Sequence, residues 1–148
     1  MPAAGAQGGA HRSGDRADSI AGIDVSRAYV LAASMALTFA VLRVYLYLSP
    51  NADLNVAGYN IHHLFTGLVI LTAGGVAAVV LPAAHRWSLA AVAVFGVGLS
   101  MALDEWVYLI VTDGTNESYL LPVSFWGAVV AIALAVGYAL VIGRRSRV

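Results

Sequence analysis

The feature that most limits what this chain can become is a set of four long apolar runs. They are "AYVLAASMALTFAVLRVYLYL" (28–48), a run from about 57 to 82 with "HHLFTGLVILTAGGVAAVVLP" as its body, "WSLAAVAVFGVGLSMALDEWVYLIV" (87–111) and "LPVSFWGAVVAIALAVGYALVI" (121–142). Each is long enough to cross a hydrocarbon core of about 30 Å as a helix. A membrane strand needs only about ten residues of alternating polarity, and no such alternation is present. Turn-forming clusters separate the runs: "SPNADLN" (49–55), "PAAHR" (82–86) and "DGTNES" (113–118).

The sequence therefore predicts an all-α, four-helix transmembrane bundle over residues 28–142. Residues 1–27 read as a disordered cytoplasmic tail, since their Gly, Ala and small polar residues bury too little apolar surface to offset ordering entropy. A cleaved signal peptide is the competing reading, but 27 mostly polar residues precede a run of spanning length. Residues 143–148 form a short basic tail.

Composition narrows the class. Of 148 residues, 60% are hydrophobic and 11% charged, where a soluble domain is about a quarter charged. The partner expected is the lipid bilayer. Net charge is zero, so there is no electrostatic case for nucleic acid. The absence of cysteine removes disulfides, thiolate metal sites and thiol nucleophiles.

Arginine placement predicts orientation, because loops that stay inside carry the positive charge. Arg12, Arg16 and Arg27 precede the first run, Arg86 sits in the second loop, and Arg144, Arg145 and Arg147 follow the fourth run. The first and third loops hold only Asp53, Asp113 and Glu117. Both termini and the second loop are then cytoplasmic, in the inner membrane of a prokaryote. "NES" (116–118) matches a glycosylation sequon in an outward loop, and reads equally as a polar turn.

Five ionisable residues lie inside the runs: Arg43, His62, His63, Asp104 and Glu105. A central Arg or Asp costs about 2.5–3.5 kcal/mol on insertion scales, so each calls for a partner. Counting 1.5 Å per residue, and starting the second helix near Ala57, all five fall roughly 8–12 Å below the outer helix ends. Small residues mark where membrane helices approach. By that guide Arg43 shares a face with Ala32, Ala36 and Ala40, and His63 with Gly67, Gly74 and Ala78. Asp104 shares a face with Ser100 and Tyr108, and the fourth helix presents Gly127, Ala131, Ala135 and Ala139. Gly74–Gly75, Gly96 and Gly98 read as close-packing positions. Arg43 and His63 are the expected partners of Asp104. His62 and Glu105, about 100° round their helices, are expected at a second interface or a cavity edge.

Three uses of the cluster stay open. It fixes helix register, as buried charges can. It binds a divalent metal (Zn²⁺, Fe²⁺ or Mn²⁺) through His62, His63, Asp104 and Glu105, with Arg43 and Tyr108 available to a ligand. Or it belongs to a proton or ion path, which would need polar steps in the inner half, where the runs offer only Ser34, Thr38, Thr72 and Ser88. Small-residue faces also offer a route to a homo-oligomer or a membrane partner.

Overall fold

The computed structural model describes residues 8–49, 55–56, 59–60 and 62–145, with side chains described over 25–49 and 62–145. Asp53 and Arg147, used above for orientation, lie outside the described residues. So do the side chains of Arg12 and Arg16.

The chain forms α1 (Gly8–Leu48), a two-residue antiparallel ladder of β1 (Asn55–Val56) and β2 (Tyr59–Asn60), then α2 (His63–Val80), α3 (Ser88–Val111), α4 (Asn116–Tyr119) and α5 (Pro122–Arg145). Four stretches are long and apolar enough to cross a membrane: Val25–Leu48, His63–Val80, Ser88–Val111 and Pro122–Arg145. They correspond to the four runs.

The backbone of residues 8–27 is helical and continuous with the first span. No proline interrupts the chain between Pro2 and Pro50, and alanine and arginine are good helix formers. One boundary of a span differs from expectation. The second helix starts at His63 rather than near Ala57, because "NVAGYN" supplies the strand pair instead.

The bundle is built around α3. That helix packs against α1, α2 and α5, and α5 also packs against α1, while among the described residues α2 packs along α3 and meets α1 at the Arg27–Ala78 bond. Glycine explains how close α2 comes. A Cβ on Gly98 would fall on the backbone nitrogen of Leu71, and one on Gly74 would fall on the backbone of Phe95. Only hydrogen fits at either position.

The interior is more polar than the surface. Buried side chains include Ser100, Asp104, Glu105 and Ser124 beside Met35, Ala128 and Ile132, while Val79 is 86% and Leu134 70% exposed. Apolar surface of that extent on every long helix is what lipid, not water, covers.

The small-residue guide placed two faces imperfectly. On α1 the buried residues are Val25, Ala28 and Met35, while Ala36, Ala40 and Tyr47 are exposed. On α5 the buried positions are Ser124, Ala128, Ile132 and Gly143; Ala128 and Ile132 lie one residue on from the Gly127–Ala139 stripe, while Gly143 continues it. At Met35 the approach of α1 to α3 is made by small residues on α3, Ser100 donating to the Met35 carbonyl at 2.9 Å and Gly96 lying against Leu31 and Ser34, so the small residues of α1 itself do not mark the contact.

The end of α2 shows how one arginine is accommodated. The carbonyl of Ala78 would accept from residue 82, but that residue is proline and has no N–H. Arg27 supplies the missing donor, its Nη2 giving a hydrogen bond to the Ala78 carbonyl at 3.1 Å. A cation at a helix C-terminus also suits the macrodipole.

Candidate functional site

The five ionisable residues of the spans meet at one level. Asp104 is fully buried and Glu105 nearly so. Arg43 lies five residues before the end of α1 and Asp104 seven before the end of α3, about 8 Å and 10 Å along their helices. His63 is the first residue of α2, a helix six residues shorter than α3. Its late start sets its N-terminus beside Asp104 and Glu105.

Asp104 is satisfied from three sides. Arg43 donates Nε to Oδ1 at 2.8 Å, with Nη2 at 2.7 Å from the same oxygen. His63 Nε2 stands 3.0 Å from Oδ2. The Tyr119 hydroxyl donates to Oδ2 as well. The rest of the guanidinium is used too: Nη1 donates to the Tyr119 carbonyl at 3.2 Å and Nη2 to the Ser124 carbonyl at 3.3 Å. It also lies over the Tyr119 ring, 4.2 Å from the centroid, a placement worth about 0.5–2 kcal/mol depending on desolvation.

Glu105 has a different reason to be inside. Its Oε2 accepts the backbone N–H of Leu64 at 2.7 Å. That N–H belongs to the first turn of α2, where amides have no partner in their own helix, and no side chain within α2's own cap supplies one. Glu105 thus caps α2 from the neighbouring helix, and the positive end of the helix favours its charge. Oε1 faces His63 Nδ1 at 3.1 Å and His62 Nδ1 at 3.3 Å.

His62 therefore meets Glu105 directly. The expectation that the two look at a second interface fails because His62 is not helical. It is the N-cap, with φ −58° and ψ 143°, so the 100° splay between successive helical residues does not apply. His63, in turn, bridges both carboxylates with its two ring nitrogens. Only a ring protonated at both nitrogens donates to both carboxylates at once.

Tyr108 adjoins the cluster without joining its ion pairs. It is buried, its hydroxyl donates to the Thr115 carbonyl at 3.0 Å, and its ring stands edge-on to Tyr119 at 5.4 Å.

Tyr119 was not legible as a site residue. It follows the turn-forming cluster of the third loop and looks like an interfacial aromatic. In the structure α4 folds it back over the cluster, where it gives both its hydroxyl and its carbonyl. Burial, and then the charge of Asp104, push its hydroxyl pKa far above the ordinary tyrosine value, so it remains a donor. The clue available in sequence was the residue budget: two carboxylates inside the spans exceed what one arginine can satisfy.

The segment carrying Tyr119 is well fastened. Gly114 takes φ 74° to reverse the chain after α3. Thr115 caps α4 by accepting from Ser118 N at 3.3 Å. The Ser118 hydroxyl, then the Thr115 N–H and hydroxyl, hold the exposed Asp113 carboxyl below its ordinary pKa. Ser118 is itself buried and donates to the Thr115 carbonyl at 2.9 Å, so "NES" is a structured turn here.

Among the described residues, no group of three or more His, Asp or Glu side chains is arranged to hold a metal ion. Comparison with protein-family models, curated proteins and solved structures finds no match.

Proposed function

We propose that the chain is a multi-pass protein of the cytoplasmic membrane of a prokaryote, with both termini inside. Its Arg43–His63–Asp104–Glu105 network, in the outer half of the membrane, locks helix register. One observation carries this reading. All four carboxylate oxygens already accept from groups on other elements: Arg43 of α1, His63 and Leu64 of α2, the cap residue His62, and Tyr119 of α4. A sliding or rotated helix would strand a charge, so the network selects one arrangement. Its contribution is specificity more than net stability, since intramembrane hydrogen bonds average about 0.6 kcal/mol each.

A second reading has one observation in its favour. His62 Nδ1 and His63 Nδ1 stand 3.3 and 3.1 Å from the same Glu105 oxygen. Tetrahedral ligands around zinc, with bonds of about 2.1 Å, are spaced at about 3.4 Å. On this reading a divalent cation replaces the protons these three atoms share, while Asp104, at the other ring nitrogen of His63, orients that ring instead of binding the ion, and Arg43 or Tyr108 lies toward a bound anion.

Glu105→Gln separates the two. The Gln carbonyl still accepts from Leu64, but its NH2 group meets the His63 and His62 nitrogens that Oε1 faced, so on the lock reading stability in detergent falls by about 3–5 kcal/mol, as for other broken buried ion pairs. Wild-type and variant protein alike then bind less than about 0.1 equivalent of added Zn²⁺ or Mn²⁺. About one equivalent on the wild-type protein, lost in Glu105→Gln, overturns the lock in favour of the metal site.

Orientation rests on charge. Arg27, Arg86, Arg144 and Arg145 lie at one end of the bundle, and Asp113 and Glu117 at the other. With no native cysteine, single thiols report cleanly. In intact cells a membrane-impermeant maleimide is expected to label Asp113→Cys and to spare Ala84→Cys, both positions being exposed. The reverse pattern would turn the bundle over.

A further inference from the structure

At the end of the bundle away from the charged cluster, the helices do not close. Among the described residues α2 packs along α3 and not along α5, and a groove of about 620 Å³ opens there, with walls from α1, α2, α3 and α5. Its shaft is apolar: Leu31, Val79, Phe95, Leu99 and Ala135. Along α5 it runs from Ala135 to Gly143, about 12 Å at 1.5 Å per residue. It opens outward, since Val79 and Tyr138 on its rim are 86% and 70% exposed.

The mouth has the opposite chemistry. Arg27 lines the groove at its Gly143 end. Its bond to the Ala78 carbonyl uses one of the five guanidinium N–H groups. Arg144 and Arg145, both exposed, follow Gly143 in the last turn of α5. Asp104 and Glu105, the carboxylates within the spans, belong to the cluster near the opposite helix ends.

The geometry points to an anionic phospholipid as the occupant, one acyl chain in the shaft and the phosphate among Arg27, Arg144 and Arg145. Three properties fit this ligand together: an apolar shaft, a lateral opening into the lipid phase, and a cationic mouth at the depth where headgroups lie. Basic pockets between helices at the membrane boundary recognise anionic headgroups in this way. The inference does not depend on the role of the charged cluster.

The test is lipid retention from a defined membrane. The protein is reconstituted in equimolar dioleoyl phosphatidylglycerol and dioleoyl phosphatidylcholine, extracted in mild detergent, and its bound lipid counted by native mass spectrometry. The wild-type chain is expected to keep phosphatidylglycerol over phosphatidylcholine by at least about fivefold, the contribution of one arginine near a membrane surface. Arg144→Gln/Arg145→Gln, which touches only exposed positions, should bring that ratio down by a similar factor or more. Ala135→Phe fills the shaft and should remove both lipids. Equal retention of the two lipids by the wild-type chain overturns the proposal. So does an unchanged ratio in the double arginine variant, or undiminished lipid on Ala135→Phe.

Discussion

Arg43→Met is expected to destabilise the bundle by about 3–5 kcal/mol, the usual consequence of removing one partner from a buried ion pair. Methionine keeps much of the apolar length of the arginine stem, so packing alone is a small part of the loss. What remains is Asp104, fully buried, with His63 and Tyr119 as donors but without the guanidinium at Oδ1. The carbonyls of Tyr119 and Ser124 also lose their donor.

The informative experiment is the double variant, Arg43→Met with Asp104→Asn. Asparagine keeps the shape and a carbonyl oxygen for Tyr119 and His63, and it needs no counter-charge. If the network only sets register, the double variant should recover most of the loss, because an unpaired charge and not a missing bond dominates the single variant. Denaturation in detergent, read by helix content or by thermal midpoint, gives the coupling. A single variant as stable as wild type would show that Asp104 is not buried beside Arg43. A double variant no better than the single would place the loss in the arginine's two carbonyl bonds.

Much of the architecture was legible because it follows from hydrocarbon thickness. Twenty apolar residues must span, whatever their neighbours do, so the four runs became four helices. The meeting of Arg43, His63 and Asp104 was legible for a related reason: a charge in a span must find a partner, and of the five at a common depth these three shared faces with small residues. The rest was hidden by local backbone choices. Nothing in "NVAGYNIHH" says that a strand pair, not a helix, precedes His63. Yet that choice decides that Glu105 caps α2 and that His62 turns toward it. Helical periodicity, begun about six residues too early on α2, sent His62 the wrong way and so hid the partner of Glu105. Tyr119 was hidden because it lies outside the spans and is brought in by α4, a four-residue element with no periodic signal. The face of α1 was misplaced because the small-residue rule describes close helix contacts. It holds between α2 and α3, whereas at α1 the small residues that allow the approach, Gly96 and Ser100, belong to α3 and receive Met35 and Ser34.

That α2–α3 contact carries the second large expected effect. Gly98→Ala should cost at the top of the range for overpacking, about 3 kcal/mol, although it adds a single methyl group. The added Cβ would meet backbone, the Leu71 nitrogen and the Gly67 carbonyl oxygen, and backbone cannot rotate aside as a side chain can. Gly96→Ala meets chiefly the Ser34 hydroxyl, which has other rotamers, so its cost should be smaller. Gly137→Ala meets nothing within 4 Å and should gain about 0.5–1 kcal/mol from helix propensity. The order matters more than any one value, since all three are the same chemical change in a helix. Because α2 packs along α3, prying them apart at Gly98 also pulls His63 and the Leu64 N–H from Asp104 and Glu105. Gly98→Ala should therefore weaken the Arg43–Asp104 coupling measured above, while Gly137→Ala leaves it intact. Equal effects from the three alanines would mean that α2 and α3 do not touch at these glycines, and the cluster would then lose the helix that supplies its histidines.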